Sequence, residues 1–561
     1  MSIDTSESAI PQYGLDWENR SFYPAFVHPV WSTEPDIQAI KSVVVNVLKD
    51  DDIKIEFLAQ GAFNKVYKIH DTSKGSQYIM RVSLPLDPHH KTSSEVTTMQ
   101  YIKETTNLPV PTVIAYDASP DNIIGFEWIL MSLMPGMPLN TRWVQLSLTE
   151  KRAILTQIAT YSAEMFEKCR FKSIGSLQRD ASGAFETSRM SDMLIWWYKR
   201  VHDNSVSKGP FTTAQEWMKS TIQLVYNENH RLHDLAQDDD DREVWYFTRD
   251  NARRLIDALP ELFDDPSVAP VKDDAATETT VLIHNDLNPG NILINPETLE
   301  ITGIIDWENM SAVPIGIACS PPDLITGLQP RDTEPDHEAY WVSDDEDERE
   351  KNFGKSVIYT EHLMQWQDTQ LKPFFNEEMR RICPEWINEY EKGEGLRDLY
   401  EVVRDCDNQW FARYVGAWLG WIEYGNKQSM AWIKDERSHI RKDDEGEEDD
   451  NEDTEDQQES TWTPAMMPYL IGSKNRLDDE DVKDRQETVW TPAMMPFLIG
   501  SKNCFEEESE VDGDNDDEHN KDQQYPIWTP AMLPCLTVSK NCLEEDDHAQ
   551  GNDKQDAGIP V

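Results

Sequence analysis

Three polar residues within one stretch of the chain have the types and spacing for phosphate chemistry: Asp286, Asn291 and Asp306. Asp286 comes shortly after the apolar segment 281–283, and Asp306 comes directly after the apolar segment 301–305. Two strand ends and one loop would therefore meet at one point. One carboxylate could accept the proton of a substrate hydroxyl, while the amide oxygen and the other carboxylate hold Mg²⁺ against nucleotide phosphates. The pattern predicts a phosphoryl-transfer site.

The same residues also have structural interpretations. Asp286 could cap a turn, and Asn291 could form an Asx hydrogen bond beside Gly290. His284 is expected to be a scaffold residue that hydrogen-bonds within the loop. Asp306 ends a further apolar run at a spacing that would bring it beside Asp286 and Asn291, and this favours the catalytic interpretation.

The rest of the chain must supply the elements that position these residues. Short β-rich runs separated by turn residues occupy 53–61, 65–71 and 77–84, and they predict a small sheet. A helix is predicted over 92–103, where Thr92 and Glu95 would form a capping box. Further helices are predicted after the boxes Ser147-x-x-Glu150 and Thr213-x-x-Glu216 and across the tryptophan-rich segment 356–424. The expected fold class is α+β, with a β-rich lobe followed by a mostly helical lobe.

From Asp51 to Ile325 the chain resembles the aminoglycoside phosphotransferase family of kinase-like enzymes, especially its fungal branch. The resemblance rests on the stretch 281–308 and on the segments LAQGAFNKVYKI, YIMRV, SSEVTTMQYI, LPVPTVIAYD and WILMSLMPGMPL. It implies the two-lobed protein-kinase-like fold, ATP and Mg²⁺ as cofactors, and transfer of the γ-phosphate to a hydroxyl of a small molecule.

The resemblance also implies a role for each site residue. Asp286 would be the catalytic base, with Asn291 and Asp306 as the Mg²⁺ ligands. The implied nucleotide contacts are Gly61 in the nucleotide loop, the cation Arg81 with its partner Glu95, and the hinge backbone around Ser132 and Met134. Glu95 could instead be only the capping partner of Thr92, and Gly61 could be only a hairpin glycine.

The chain departs from the family pattern at two positions. Arg81 stands where many members have Lys, and its planar fork binds anions differently from an ammonium group. Asn285 stands between His284 and Asp286, where members often have Gly. Three residues could line the acceptor side of the cleft, although a structural role is favoured for each taken singly: Trp307, Glu308 and Asp323.

The chain is strongly acidic, with a formal net charge of −53 over 561 residues. Nucleic acids and anionic membranes are held through Lys and Arg, so both classes of partner are excluded. Residues 442–561 contain 34 acidic and 9 basic residues, a net charge of −25. This segment is predicted to be a disordered tail, and only the remaining −28 could steer a cationic or amine-bearing acceptor to the folded part.

A tryptophan motif recurs three times in the tail, starting at Trp462, Trp490 and Trp528, as WTPAMMPYLIGSKN, WTPAMMPFLIGSKN and WTPAMLPCLTVSKN. The unequal spacing argues against a solenoid, and two prolines in each copy disfavour a helix or a central strand. The motif could dock onto a protein partner or onto the folded domain as an inhibitor. It could also be a duplicated segment without a function.

Seven cysteines without a CxxC pair are interpreted as reduced thiols, and no apolar run reaches the length of a membrane span. The first residues lack a signal or transit pattern, so a cytoplasmic location is expected. The predicted domains are an extension at 1–50, an N-lobe at 51–135, a C-lobe at 136–441 and the tail.

Two functions follow from these features. The first is an ATP-dependent small-molecule phosphotransferase with an unidentified, amine-bearing or other hydroxylated acceptor. The alternative is a catalytically weak or inactive kinase-fold protein that acts as a binding module through its tail.

Overall fold

The computed structural model describes residues 13–19, 27–197, 200–236, 239–269, 279–325, 330–340, 356–407 and 412–423. The predicted tail at 442–561, with its three tryptophan motifs, lies outside these residues. Within them the chain forms a smaller lobe built on a β-sheet and a larger, mostly helical lobe. The α+β, two-lobed architecture expected from the sequence is confirmed.

A hairpin and a helix precede the main sheet. They are β1 (Leu15–Asn19), β2 (Val27–Trp31) and α1 (Ile37–Leu48). Ile40 and Val44, one helical turn apart on α1, are buried in the core of the smaller lobe. Part of the segment predicted as an extension therefore packs onto this lobe.

The smaller lobe is built on an antiparallel sheet of five strands. They are β3 (Ile53–Gln60), β4 (Asn64–Asp71), β5 (Ser76–Ser83), β6 (Val113–Asp117) and β7 (Glu127–Ser132), in the order β3-β4-β5-β7-β6. Met80 and Val82 of β5 point into the core shared with α1. Because side chains alternate along a strand, Arg81 points to the opposite face, where helix α2 (His90–Thr105) lies.

The start of α2 corrects one prediction. The helix begins at His90, two residues before Thr92, so Thr92 is not an N-cap and forms no capping box with Glu95. The predicted box at Ser147 is confirmed, because its hydroxyl accepts a hydrogen bond from Glu150 N while Glu150 accepts one from Ser147 N. Glu95 is consequently free of a capping role and turns toward Arg81.

The larger lobe contains the remaining helices. They are α3 (Asn140–Trp143), α4 (Leu148–Lys168), α5 (Met193–Trp196), α6 (Ala214–Leu235), α7 (Asp239–Phe263), α8 (Ile315–Ala318), α9 (Val357–Ile382), α10 (Pro384–Lys392), α11 (Glu394–Asp405) and α12 (Ala412–Glu423). Short 3₁₀ turns occur at Arg200–His202, Asp323–Ile325 and His337–Ala339. Thr213 caps α6 as predicted, accepting a hydrogen bond from Glu216 N.

Short strands of the larger lobe hold the stretch 281–308, which carries the candidate site. They are β8 (Met137–Pro138), β9 (Arg170–Phe171), β10 (Leu177–Arg179), β11 (Phe185–Thr187), β12 (Thr280–Ile283), β13 (Ile292–Ile294), β14 (Ile301–Ile304) and β15 (Ser311–Pro314). Two of the sheets have three strands each, in the orders β15-β12-β9 and β14-β13-β8. Their buried strands fix the ends of the loops that carry the candidate site.

No helix among the described residues is long and apolar enough to cross a membrane. The four cysteines in this part of the chain are buried, and none of them forms a disulfide: Cys169, Cys319, Cys383 and Cys406. The other three cysteines lie outside the described residues.

Asp368 on α9 makes the stability of the larger lobe sensitive to pH. Burial raises the pKa of Asp368 to about 7, and the charge of Lys151 offsets this only in part. In the unfolded chain the carboxyl ionises near its ordinary value, so the folded state loses stability as the pH rises from that value through 7. We expect Asp368→Asn to raise the free energy of unfolding by about 2–4 kcal/mol at pH 8. Urea unfolding at pH 8 and pH 4 checks this, because the gain should vanish at pH 4; an equal gain at both pH values would contradict it.

Candidate active site

Asp286 lies in the loop between β12 and β13, and two asparagines fix its carboxylate. Asn288 Nδ2 donates to Oδ1 at 2.6 Å, and Asn291 Nδ2 donates to Oδ2 at 2.9 Å. Asp286 is exposed to solvent. Burial of the surrounding loop raises the pKa of Asp286, although the two amide donors oppose this shift. The carboxylate is thus held in one orientation and is more basic than an ordinary aspartate.

The predicted structural roles in this loop fall to other residues. Asn288, and not Asn291, makes the Asx turn, because its Oδ1 accepts a hydrogen bond from Gly290 N at 2.7 Å. His284 has the expected scaffold role: its Nδ1 lies 3.3 Å from Asp286 N, and its Nε2 lies 3.1 Å from Ile305 O. Burial lowers the pKa of His284 to about 4, so the ring is neutral. A neutral ring can accept a hydrogen bond from Asp286 and donate one to Ile305.

Asp306 is presented by an unusual backbone conformation. Its φ is +65°, in the left-handed region that residues with a side chain seldom adopt. Ile305 N donates to Asn291 O at 2.9 Å, which places Asp306 directly beside the Asn291 loop. The structure therefore brings together the three residues that the sequence singled out.

The donor set of these residues suits Mg²⁺. Asn291 and Asp306 offer oxygen ligands, and the side chain of Asp306 is 36% exposed toward the cleft. Among the described residues, no group of three or more His, Cys, Asp and Glu side chains could hold a metal ion by itself. Mg²⁺ is usually bound by one or two carboxylates with phosphates and water completing its shell. A site with few protein ligands fits this ion.

Arg81 lies between three carboxylates. Its Nη1 donates to Glu95 Oε1 at 2.7 Å and to Asp306 Oδ1 at 3.1 Å, and its Nη2 contacts Glu308. The first contact stays within the smaller lobe, whereas the other two cross to the larger lobe. This explains why Arg serves here, since a planar fork can hold several carboxylates in fixed directions and an ammonium cannot.

A lysine that sequence reasoning overlooked completes this cluster. Lys91, one turn before Glu95 on α2, is buried, and its Nζ lies 2.5 Å from Glu308 Oε2. Asn64 Nδ2 also donates to both oxygens of Glu308 at 3.0 Å. The spacing of Lys91 and Glu95 on one helix face was a usable signal, but it does not reveal the distant Glu308 as the partner.

The cluster holds two cations and three carboxyl groups, and the pKa values of the carboxyl groups Glu95 and Glu308 are shifted in opposite directions. Burial raises the pKa of Glu95 to about 7, because Arg81 compensates only part of the desolvation. Burial also disfavours ionisation of Glu308, but the charges of Arg81 and Lys91 outweigh it and lower the pKa of Glu308 to about 2. Glu308 is therefore firmly ionised and lies in the contact between the lobes, in keeping with the structural role that the sequence favoured for it.

The other predicted nucleotide contacts lie around the cleft. Gly61 N donates to Asn64 O at 2.8 Å in the turn between β3 and β4, where a Cβ would make only ordinary contacts. Ser132 ends β7, and its N–H donates to Thr112 O. Met134 follows in the segment that leads to the larger lobe and packs against Gly303. These positions remain predictions for nucleotide binding.

An aromatic contact supports the predicted nucleotide loop from the side. Phe63, next to Asn64, is buried against Trp196 of α5, with ring centroids 5.6 Å apart. Trp197 meets Trp17 of the N-terminal hairpin, with centroids 6.4 Å apart. The turn between β3 and β4 is thus anchored to a segment of the larger lobe as well as to its own sheet.

Loss of the His284 hydrogen bonds should slow turnover without weakening nucleotide binding. We expect His284→Phe, which preserves an aromatic ring against Trp307, to lower kcat about 10- to 100-fold by misplacing Asp286. His337→Phe makes the same ring change at an edge-to-face contact with Tyr359, far from the loop, and serves as the control. Steady-state kinetics of both variants test this, and equal kcat values would contradict it.

Comparison with known proteins finds a family model that matches part of this chain. Residues 54–316 match the phosphotransferase enzyme family. A subtelomeric hrmA-associated cluster protein of Aspergillus fumigatus is 28% identical over 296 residues, which cover 46% of this chain and 57% of that protein. Altered inheritance of mitochondria protein 9 of Yarrowia lipolytica is 23% identical, covering 49% of this chain and 52% of that protein. The chain thus spans little more than half the length of these relatives.

Solved structures that are similar to this chain include an ethanolamine kinase of Plasmodium vivax, with 14% sequence identity and a TM-score of 0.32. The match covers 68% of this chain and 87% of that kinase.

Proposed function

We propose that this protein transfers the γ-phosphate of ATP to a hydroxyl group of a small molecule, because residues 54–316 match the phosphotransferase enzyme family. One observation carries the proposal above the others. The solvent-facing carboxylate of Asp286 is fixed by two amides beside Asn291 and Asp306, and Arg81 reaches Asp306 from the opposite lobe. A pure binding module has no need of this arrangement.

In this mechanism Asp286 is the catalytic residue. One of its oxygens accepts the hydrogen bond of the acceptor hydroxyl and takes up the proton as the new O–P bond forms, while the bond between the γ-phosphorus and the β–γ bridging oxygen of ATP breaks and ADP leaves. Asn288 and Asn291 hold the carboxylate in place, so that little reorientation is needed during the reaction. The raised pKa of Asp286 makes the carboxylate a better proton acceptor.

Asn291 and Asp306 would hold Mg²⁺, with Arg81 keeping Asp306 in place from the smaller lobe. The ion would neutralise the charge that develops on the transferred phosphoryl group. Glu95 fixes the guanidinium of Arg81 so that it stays aimed at the cleft.

The acceptor would enter on the side of Asp323. Burial raises the pKa of Asp323 to about 6, the charge of Arg404 acts against this, and that of Asp286 adds to it. Asp323 thus lies within electrostatic reach of the catalytic carboxylate, and its own carboxylate could receive an amine of the acceptor.

The proposal is tested by measuring ATP consumption with hydroxylated amines, sugars and cell extract. We expect at least one acceptor to stimulate ADP release by the unmodified protein and not by Asp286→Ala. Thermal unfolding with and without Mg²⁺ and ATP runs beside this screen. If Mg²⁺ and ATP cause no shift in the unfolding temperature, and if no turnover depends on Asp286, the proposal is rejected in favour of a binding module.

A further inference from the structure

Lys91 and Glu308 meet where the two lobes touch. Lys91 lies in the first turn of α2, and Glu308 follows Asp306 by two residues in the loop after β14. The side chain of Lys91 is 1% exposed and that of Glu308 is 11% exposed. Two charged groups buried this deeply are stable only when they compensate each other.

Other groups of the smaller lobe fix the geometry of this pair. Lys91 Nζ donates to Asn64 Oδ1 at 2.9 Å, and Ser83 Oγ donates to the same oxygen at 2.8 Å. Arg81 Nη2 contacts the same Glu308 oxygen as Lys91. The carboxylate of Glu308 is therefore held by α2, β4 and β5 together, and it ties all three elements to one loop of the larger lobe.

This loop must keep Asp306 in its left-handed conformation. Such a backbone persists only where the surrounding structure holds it. Three anchors within the larger lobe contribute: Ile305 N bonds to Asn291 O, the Trp307 indole bonds to Ile304 O at 2.8 Å, and Asn285 Nδ2 bonds to Asn309 O at 2.7 Å. Glu308 provides the anchor of this loop that reaches Lys91 on the other lobe.

We propose that Lys91 and Glu308 form an interlobe latch that positions Asp306 for metal and phosphate binding. The latch acts through Asp306, so both are positioning residues and neither is a catalytic one. This inference rests on the proposed function, because the positioning matters only if Asp306 holds Mg²⁺ against ATP. It also gives Lys91 a task distinct from that of Arg81, which contacts Asp306 directly.

The test uses the full chain and four variants. Lys91→Met and Glu308→Gln each remove one side of the latch, and the double variant removes both. Lys151→Met is the matched control, because Lys151 is also a buried lysine, bonded to Gln367 and stacked over Trp143 within the larger lobe. ATP binding is measured by titration calorimetry with and without Mg²⁺, and urea unfolding is measured on the same samples.

The gain in ATP affinity on adding Mg²⁺ is the decisive quantity. We expect each single variant to lower this gain about tenfold or more, as is usual for residues that orient metal ligands. The double variant should lose no more than the worse single one, because the two residues act as a unit. The control should lower the urea midpoint while keeping the full gain.

Several results would overturn the latch. If Lys91→Met keeps the full gain in ATP affinity on adding Mg²⁺, or if the losses of the single variants multiply in the double variant, Lys91 and Glu308 are an ion pair without a positioning role. Absence of ATP binding by the unmodified protein would instead reject the proposed function, and the positioning role with it. The ATP titration of the unmodified protein therefore distinguishes the two failures, and the urea unfolding shows whether Lys91 and Glu308 are energetically coupled in either case.

Discussion

Asp286→Asn is expected to lower the rate of phosphate transfer about 10²–10⁴-fold, the usual contribution of a positioned general base. Asn has nearly the same shape as Asp, but its single amide oxygen can accept only one of the two hydrogen bonds that Asn288 and Asn291 donate to Asp286. It also cannot take up the proton of the acceptor hydroxyl. Binding of ATP with Mg²⁺ should change little, because Asn291, Asp306 and Arg81 are untouched. The effect should therefore appear in kcat and leave the dissociation constant of ATP near its original value.

Single-turnover phosphate transfer measures this rate, using the acceptor found in the consumption screen. Asp180→Asn is the control, since Asp180 lies in the exposed turn between β10 and β11, where it accepts hydrogen bonds from Ser182 and Ala184. It should lose a little stability and keep its full rate. Transfer by Asp286→Asn at the rate of the unmodified protein would remove Asp286 from the mechanism.

The stretch 281–308 with the candidate site was predictable because its structure is local. The strands β12, β13 and β14 are short apolar runs with turn residues between them, and their order along the chain nearly determines how they meet. Asp286, Asn291 and Asp306 sit at the ends of these runs. Local hydrogen bonds then bring these residues together, and contacts with the smaller lobe, such as that of Arg81 with Asp306, add to them only after folding.

The interlobe cluster was not predictable in the same way. Glu308 meets Lys91 and Asn64 only after both lobes have folded, and no local pattern encodes that contact. The capping box predicted at Thr92 was wrong for a related reason, because burial of Lys91 and Thr92 draws the start of α2 back to His90. Glu95 is explained by the tertiary contact with Arg81, which a local capping rule cannot anticipate.

The position of Trp196 is a further long-range feature. Nothing in its own segment indicates that it packs against Phe63 of the other lobe. The contact depends on α5, which lies between β11 and α6 along the chain, packing against the smaller lobe. The packing of Trp196 against the predicted nucleotide loop can be seen only in the folded structure.

Arg81→Met is expected to have the second large effect, on stability and on nucleotide binding together. Removing the guanidinium takes away the cation that contacts Glu95, and it leaves Glu308 with only its contacts to Lys91 and Asn64. Loss of one partner from a buried ion pair costs about 3–5 kcal/mol of unfolding free energy. The cost should be larger at pH 8 than at pH 6, because Glu95, whose pKa is already raised to about 7, can take up a proton at the lower pH.

Arg81→Lys and Arg200→Met separate the possible causes of this effect. The lysine keeps the charge but cannot span Glu95, Asp306 and Glu308, so it should regain part of the stability and part of the ATP affinity. Arg200 is a buried arginine that contacts Asp407 in the larger lobe, and its loss should lower stability without changing ATP affinity. Urea unfolding at pH 6 and pH 8, with calorimetric titration of ATP and Mg²⁺, measures both quantities. Equal losses of ATP affinity in Arg81→Met and Arg200→Met would show that general destabilisation explains the result, and that Arg81 has no particular role at the phosphates.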